Sequence, residues 1–357
     1  MTAPGASGAT ASPHLLSGRW LTLATVLLLG TAVFAILLSI SVGAVHIPLP
    51  TVWTVMAGHL PFVHTHAPLV DRENVWELRA PRSLLGFIVG AALAVAGVSL
   101  QALVRNPLAD PYILGVAEGA SLGAVSVLAF GSGAVAGLGV TSAAFAGAML
   151  SMLAVFLVAR GAGGYTPARL LLAGVALGYL CSAVTSFIQF KVSPQELQGI
   201  VFWLLGSLAS ATWEDLRIPA LAVLVCTGWL MLQGRRLNAL SLGEESAVAL
   251  GVDVRRFRIQ LMLVSSVLVG AVIAVAGGVG FVGLVVPHLV RLAVGPDHRR
   301  LLPLSALLGG VFLVLVDVLA RVVAAPSELP LGIFTAAAGA PMFLWLMRRA
   351  RRVDGAA

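Results

Sequence analysis

Charge is scarce in this sequence. Asp, Glu, Lys and Arg together make up 10% of it, against about 25% in an ordinary soluble domain, so a water-soluble fold could not clothe itself in polar side chains. Lysine is scarcer still: Lys191 stands alone, and Phe190 precedes it. A phosphate-cradling P-loop needs a Gly-Lys pair, so this chain does not hydrolyse ATP through one. There are two cysteines, Cys181 and Cys226, each inside an apolar run and without CxxC spacing; they read as small packing residues, not a disulfide, redox or metal motif. The seven histidines are His14, His46, His59, His64, His66, His288 and His298. Three of them, His59, His64 and His66, fall in one loop, but with no carboxylate or cysteine at ligand spacing, and a solvated loop is the expectation there. No catalytic set, metal site or cofactor site is read in this chain.

What is present is apolar. Hydrophobic residues are 59% of the chain and the mean hydropathy is +0.99. The bilayer must be part of its solvent. Runs long enough to cross it, or nearly so, lie at 20–43, 82–104, 112–130, 137–159, 168–190, 216–233, 257–276, 281–294, 301–324 and 331–347. The expected fold is therefore all-α: a polytopic membrane protein of ten transmembrane helices. Residues 1–18, rich in Ala, Ser, Gly and Pro, read as a disordered tail, 19–350 as one transmembrane domain and 351–357 as a second tail. The first run is too long for a cleaved signal core of about 7–15 residues and reads as a retained span.

The basic residues fix the expected orientation. With the N-terminus inside and the apolar stretch 198–212 not crossing, 16 of the 22 basic residues fall on the inner side, including the pairs at 235–236, 255–256, 299–300 and 348–349. If 198–212 crossed, those clusters would land outside, against the positive-inside rule. Ten spans with both termini cytoplasmic, in a bacterial inner membrane, follow as the expectation, with 198–212 a short outer-face helix. Basic clusters between spans are topology signals, and no basic face with interleaved aromatics marks a nucleic-acid partner; membrane lipid is the expected surroundings.

An internal echo supports a repeat. The string G-A-A-L-A-V-A-G at 90–97 recurs as G-A-V-I-A-V-A-G at 270–277, in the second and seventh runs. An odd number of spans separates the copies, so they run in opposite directions, as in the inverted repeats of transporters. We expect two five-helix repeats, about 20–190 and 198–347.

The longest polar stretch on the inner side, 237–257, is about twenty residues, where a helix–helix connection usually takes ~2–8. Ser241 and Glu244 have capping-box spacing. Ala247, Leu250 and Val254 share a helical face, and Gly251 is placed to end the turn. A short amphipathic helix lying on the inner face reads as a docking knob for a soluble partner.

This stretch resembles the coupling region of the FecCD-type permeases, the membrane subunits of type II ABC importers for iron–siderophore, haem and cobalamin complexes. Three further segments carry the resemblance: L-R-A-P-R-S-L-L-G at 78–86 with Q-A-L-V-R-N-P-L-A-D-P at 101–111; G-G-V-G-F-V-G-L-V-V-P-H-L-V-R at 277–291; and D-V-L-A-R at 317–321 with E-L-P-L-G at 328–332 and G-A-P at 339–341. The resemblance covers about 20–350. It implies a second permease copy, two cytoplasmic ATPase subunits that bind ATP and Mg, and an outside substrate-binding protein. The cargo it implies is an iron chelate, siderophore first, then haem or cobalamin. The ATPase-coupling residues would be Leu242, Gly243, Glu244, Glu245, Ala247, Leu250, Gly251 and Val252. Asn106, Leu108 and Thr166 match positions that narrow the inner exit in relatives, although turn chemistry alone also accounts for them. Gln101 and Glu118 are assigned to the translocation pathway.

Arg79 and Arg82 fall on the outer side, at the expected N-terminal end of the second span. That is the disfavoured side for basic residues and the disfavoured end of a helix dipole. With Arg321, they match arginines that receive binding-protein carboxylates in this family. A rival for Arg321 is an intrahelical pair with Asp317, four residues earlier. Glu118 departs from the family pattern, which has a small or neutral polar residue there. An acid at membrane depth faces a cavity or a partner: it selects a cationic or hydroxyl-rich cargo, or it pairs within the bundle. An ion-gradient-driven secondary transporter is the alternative, but it would want more acids at mid-membrane than Glu118 and Asp317.

Overall fold

A computed structural model describes residues 18–43, 45–59, 67–161 and 165–354, with side chains assigned through residue 344. The described residues are helical and contain no strand. In chain order the helices are α1 (Arg19–Ser41), α2 (Leu49–Ala57), α3 (Leu69–Val104), α4 (Val116–Phe130), α5 (Val140–Gly161), α6 (Pro167–Lys191), α7 (Pro194–Leu204), α8 (Arg217–Leu232), α9 (Gly234–Ser241), α10 (Glu244–Ala249), α11 (Val254–Ala276), α12 (Val282–Val294), α13 (His298–Val322) and α14 (Leu331–Asp354). Six of them, α1, α3, α5, α6, α11 and α13, are long and apolar enough to cross a membrane; α8 qualifies together with α9 beyond a 63° bend, and α4, α12 and the apolar part of α14 are shorter. Together these helices fall on the ten apolar runs of the sequence.

The longest helix departs from expectation. It starts at Leu69, not near residue 82, and its 36 residues make it about 54 Å long at 1.5 Å per residue. That exceeds the ~30 Å hydrocarbon core. Residues 73–79 form a π-helical stretch within it, and its first turns carry Asp71, Arg72, Glu73 and Glu77. Arg79 and Arg82 therefore sit well inside a continuous helix, and no helix N-terminus is present to disfavour them. The dipole part of the docking argument falls with that correction.

From Ala80 onward α3 is the buried axis of the bundle. Its small residues allow this, because helices associate in lipid where backbones approach closely. A methyl group on Gly90 would overlap the Gly309 carbonyl of α13, and one on Gly97 would overlap the Gly283 carbonyl of α12. The echo at 270–277 packs the same way: Gly270 of α11 lies against Ala148 and Met149 of α5. Thus α3 packs most heavily on α13, and α11 packs on α3 and α5, so each copy of the echo meets helices of the other half of the chain.

The short spans have a shared cause. The chain after α3 turns back into the bundle before α4 begins, so that Pro111 would meet a side chain on Gly283 at the level of Leu93. The segment before α12 does the same from the other end. The two meet where the Val279 N–H donates to the Tyr112 hydroxyl at 2.5 Å. Non-helical backbone at membrane depth persists because it is packed in protein.

The expected outer helix 198–212 is α7, which begins earlier, at Pro194, behind a complete Ser193/Glu196 capping box, and stops at Leu204. Beyond it the chain is irregular. Its polar groups are satisfied by neighbouring helix ends: Ser207 N–H donates to Ala276 O at 2.9 Å, and Leu205 O and Gly206 O accept from Gly332 and Leu331. His59 is also not a solvated loop residue. Its ring stacks on Trp76 at 3.6 Å, and Trp76 leans on Trp213. His64 and His66 lie outside the described residues, as does nearly all of the 1–18 tail.

Candidate functional site

At the end of the bundle where α3 finishes, α9 and α10 form a bracket across the helix termini. Gly243, with φ of 123°, breaks the chain between them. Ser241 does not cap α10: its hydroxyl donates to Leu237 O at 3.0 Å within α9, and Gly243 occupies the cap position. The other end closes as expected. Gly251 adopts φ of 80°, Val252 N–H bonds Ala247 O and Gly251 N–H bonds Val248 O, both at 2.9 Å, the pairing of a Schellman turn. Asp253 then caps α11 by accepting from Arg256 N–H at 3.0 Å.

That turn changes which residues face outward. Ala247 and Val254 are buried and hold α10 down. Leu250, expected on the same face, instead points out at 66% exposure, alongside Leu242 at 72% and Val248 at 62%. Glu245 is exposed, while Glu244 forms an ion pair with the buried Arg258 of α11. The result is an apolar, acid-edged knob clamped to the body by Ala247, Val252 and the Glu244–Arg258 pair. The α9 side is tied in by Asn238, whose amide donates to Asp297 at 2.8 Å and whose carbonyl accepts from His298 N–H at 2.9 Å. Burial alone would raise the Asp297 carboxyl. The Asn238 and Arg299 N–H donors and the nearby Arg299 and Arg300 charges outweigh it and bring it below the usual carboxylate range. Sequence reading missed Asn238 and Asp297, whose pairing spans 59 positions.

The expected exit residues separate into two clefts. Thr166 caps α6, its hydroxyl accepting from Arg169 N–H at 3.4 Å, and shares a cleft of about 560 Å³ with Glu244, Val248 and Arg258. Asn106 lies in another, of about 200 Å³, with Gln101, Arg291 and His298. Its side chain accepts from Leu108 N–H at 2.9 Å, an Asx turn that shapes the bend after α3. Gln101 is buried and fully used: it donates to Gly283 O at 3.2 Å and accepts from Arg291 at 2.8 Å. It bridges α3 and α12 at the wall of that cleft.

At the opposite end the three arginines converge. Arg82 meets Asp317 at 2.9 Å and Glu328 at 2.9 Å. Arg321 reaches the same Asp317 at 3.1 Å, Ser39 at 2.7 Å and Val42 O at 2.9 Å. Arg79 donates to Ile40 O at 2.8 Å and Ser41 O at 3.0 Å, satisfying the last carbonyls of α1 in the manner of a cation at a helix C-terminus. Asp317, 1% exposed, is the hub. The rival reading of Arg321 as an intrahelical partner of Asp317 is realised. Arg82 and Arg321 share the Asp317 carboxylate, Arg79 is held by backbone carbonyls and forms no ion pair among the described residues, and Glu328 is the partly exposed group on the rim.

Glu118 is treated differently by the fold. It stands in the first turn of α4 and lines a cleft of about 380 Å³ with Tyr112, Gly174, Gly178, Tyr179 and Ser182. Its Oε2 is buried with no hydrogen-bond partner, and no lysine or arginine lines the cleft. The α6 side of the opening is apolar and exposed, with Leu172, Tyr179 and Phe187 on the surface. Both expected pathway residues border a cleft, Gln101 beside Asn106 and Glu118 beside Gly178.

Known proteins share this arrangement along most of the chain. A cobalamin import system permease protein, BtuC, from Halobacterium salinarum is 45% identical over 302 residues, 85% of this chain and 80% of that one. A hemin transport system permease protein, HmuU, from Yersinia pestis is 39% identical over 343 residues, 95% of this chain and 97% of that one. A solved inward-facing conformation of a metal-chelate type ABC transporter superposes with a TM-score of 0.79 at 32% identity, covering 92% of this chain and 99% of its own. With residues 31–349 matching the FecCD transport family, the chain is a multi-pass membrane permease that belongs to that family.

Proposed function

We propose that this chain is the membrane-spanning subunit of an ATP-driven importer of a metal chelate, working as a pair of permease copies with two cytoplasmic ATPase subunits and an outside binding protein. Both termini and the α9–α10 bracket then face the cytoplasm of a bacterial cell. The observation that carries the reading is the knob. Three large apolar side chains, Leu242, Val248 and Leu250, are held in the open by a clamped six-residue helix. A membrane protein has no use for such a surface in water unless a soluble partner covers it. The ATP and Mg belong to that partner. Force applied to α10 passes through Glu244–Arg258 to α11 and through Asn238 to α13, which fits rigid-body alternation of two states. A secondary transporter leaves the knob without a purpose.

The cargo is a metal chelate. The two relatives above are named for cobalamin and hemin, so those chelates stand ahead of the siderophore that the sequence put first. At the outer end, docking of a binding protein would run through the Arg82–Glu328 edge, where a partner carboxylate can replace Glu328 on the guanidinium; Arg79 and Arg321 would hold that edge in place.

Substituting Leu250→Glu puts a charge at the centre of the knob. We expect the ATPase subunit to lose copurification with the permease, or nucleotide-driven chelate uptake into vesicles to fall at least tenfold, with the permease still folded. Uptake that persists with the knob charged, or that runs on a proton gradient without nucleotide, would rule the reading out.

A further inference from the structure

Glu118 is an acid at membrane depth that no described cation answers. Every other acid at such depth has an assigned role on this chain. Asp317 is shared by two arginines. Asp110 is turned onto the Tyr112 N–H at 2.9 Å. Glu118 has no cation and only its own backbone N–H: Oε2 is buried without a partner, and the walls around it are two tyrosines, a serine, two glycines and the apolar Ile113 and Val175. The glycines keep the cleft open, since the carboxylate already lies within van der Waals reach of a side chain placed at Gly178. Its position in the first turn of α4 favours the negative form, because the N-terminal end of a helix stabilises an anion. The titratable groups whose charge bears on it are Asp110 and the Tyr112 and Cys181 side chains; none of them is a cation.

We propose that the Glu118 cleft is a binding site for a cationic group, an ammonium or guanidinium carried by the cargo, which the pathway recognises through one carboxylate and the flanking hydroxyls of Tyr179 and Ser182. This rests on the importer reading only in naming the cargo as the source of the cation. The site itself is a local property of the fold. The Glu118 carboxylate and the Tyr179 and Ser182 hydroxyls offer acceptors beside two aromatic rings and the apolar Ile113 and Val175, a combination that suits an organic cation. An anionic chelate meets the same carboxylate as a barrier, so the site biases passage by charge.

The test is local, so that it stands apart from transport. With Cys181→Ser and Cys226→Ala as background, Ser182→Cys places a thiol in the cleft. In the assembled complex in lipid nanodiscs, the rates of modification by a trimethylammonium methanethiosulfonate and by a sulfonate methanethiosulfonate are compared. The cationic reagent is expected to react on the order of tenfold faster than the anionic one, relative to their rates with a free thiol. Glu118→Gln is expected to bring the ratio close to one, and Glu118→Asp to retain most of it. An unchanged ratio in Glu118→Gln overturns the site, as does a thiol that neither reagent reaches. A normal ratio in a complex that does not couple to ATP would leave the site standing and remove only the importer reading.

Discussion

Two acids at membrane depth, Asp317 and Glu118, meet opposite fates in this molecule. Asp317 is enclosed by Arg82, Arg321 and the end of α1, and its charge is spent within the chain. Glu118 faces a cleft, with a buried oxygen that nothing answers. The bilayer makes both costly, so composition alone does not separate them. The packing around them does. The Asp317 corner ties α3, α13, the end of α1 and the segment bearing Glu328 into one piece; it is architecture. The Glu118 cleft ties nothing, and its cost is borne for a ligand.

The comparison predicts an ordered series of stability effects, readable as thermal unfolding of the purified permease in detergent. The largest belongs to Asp317→Ala, which strands two buried guanidinium groups. Breaking a buried pair from one side costs about 3–5 kcal/mol, and a loss of expression or a collapse in Tm is the expected outcome. Replacing all three members, Asp317→Leu with Arg82→Met and Arg321→Met, should recover most of that loss, since apolar substitutes often match a buried ion group in stability. If the triple variant is as poor as the single one, the corner does more than hold helices together. Arg79→Met comes next. It removes charged donors from the Ile40, Ser41 and Val45 carbonyls, a loss of about 1–2 kcal/mol, and it should loosen the end of α1 selectively in hydrogen exchange.

Some of this was open to reading from the residues. The apolar runs located the helices and the placement of arginines their expected orientation. Gly251 announced the end of α10. Other features were closed to it for physical reasons. Hydropathy located only the apolar part of α3, because its first turns carry Asp71, Arg72, Glu73 and Glu77 and stand outside the hydrocarbon. The i,i+4 rule revealed Arg321 beside Asp317, but Arg82 lies 235 positions away, and no local pattern joins them. Helical periodicity puts Leu250 on one face with Ala247 and Val254; the Schellman turn reverses the chain there and turns Leu250 outward while the other two are buried. The meeting of Tyr112 with Val279 was signalled only faintly, by the proline at 111 and the glycines at 277, 278 and 280.

The smallest expected effect is the sharpest test of the contrast. Glu118→Gln keeps shape and hydrogen-bonding capacity and removes one charge. If the carboxylate had a hidden partner in the bundle, the substitution would cost stability on the scale of Asp317→Ala. With no ion pair to lose, the balance is between a helix N-terminus, which favours the anion by about 0.3–1 kcal/mol, and burial, which favours the neutral amide. These oppose each other, so Tm should stay within the equivalent of about 1 kcal/mol of the parent. A residue whose removal leaves the fold intact, yet which the fold holds in the membrane without a cation beside it, is retained for what passes it. A large destabilisation would instead place Glu118 with Asp317, as a second piece of architecture.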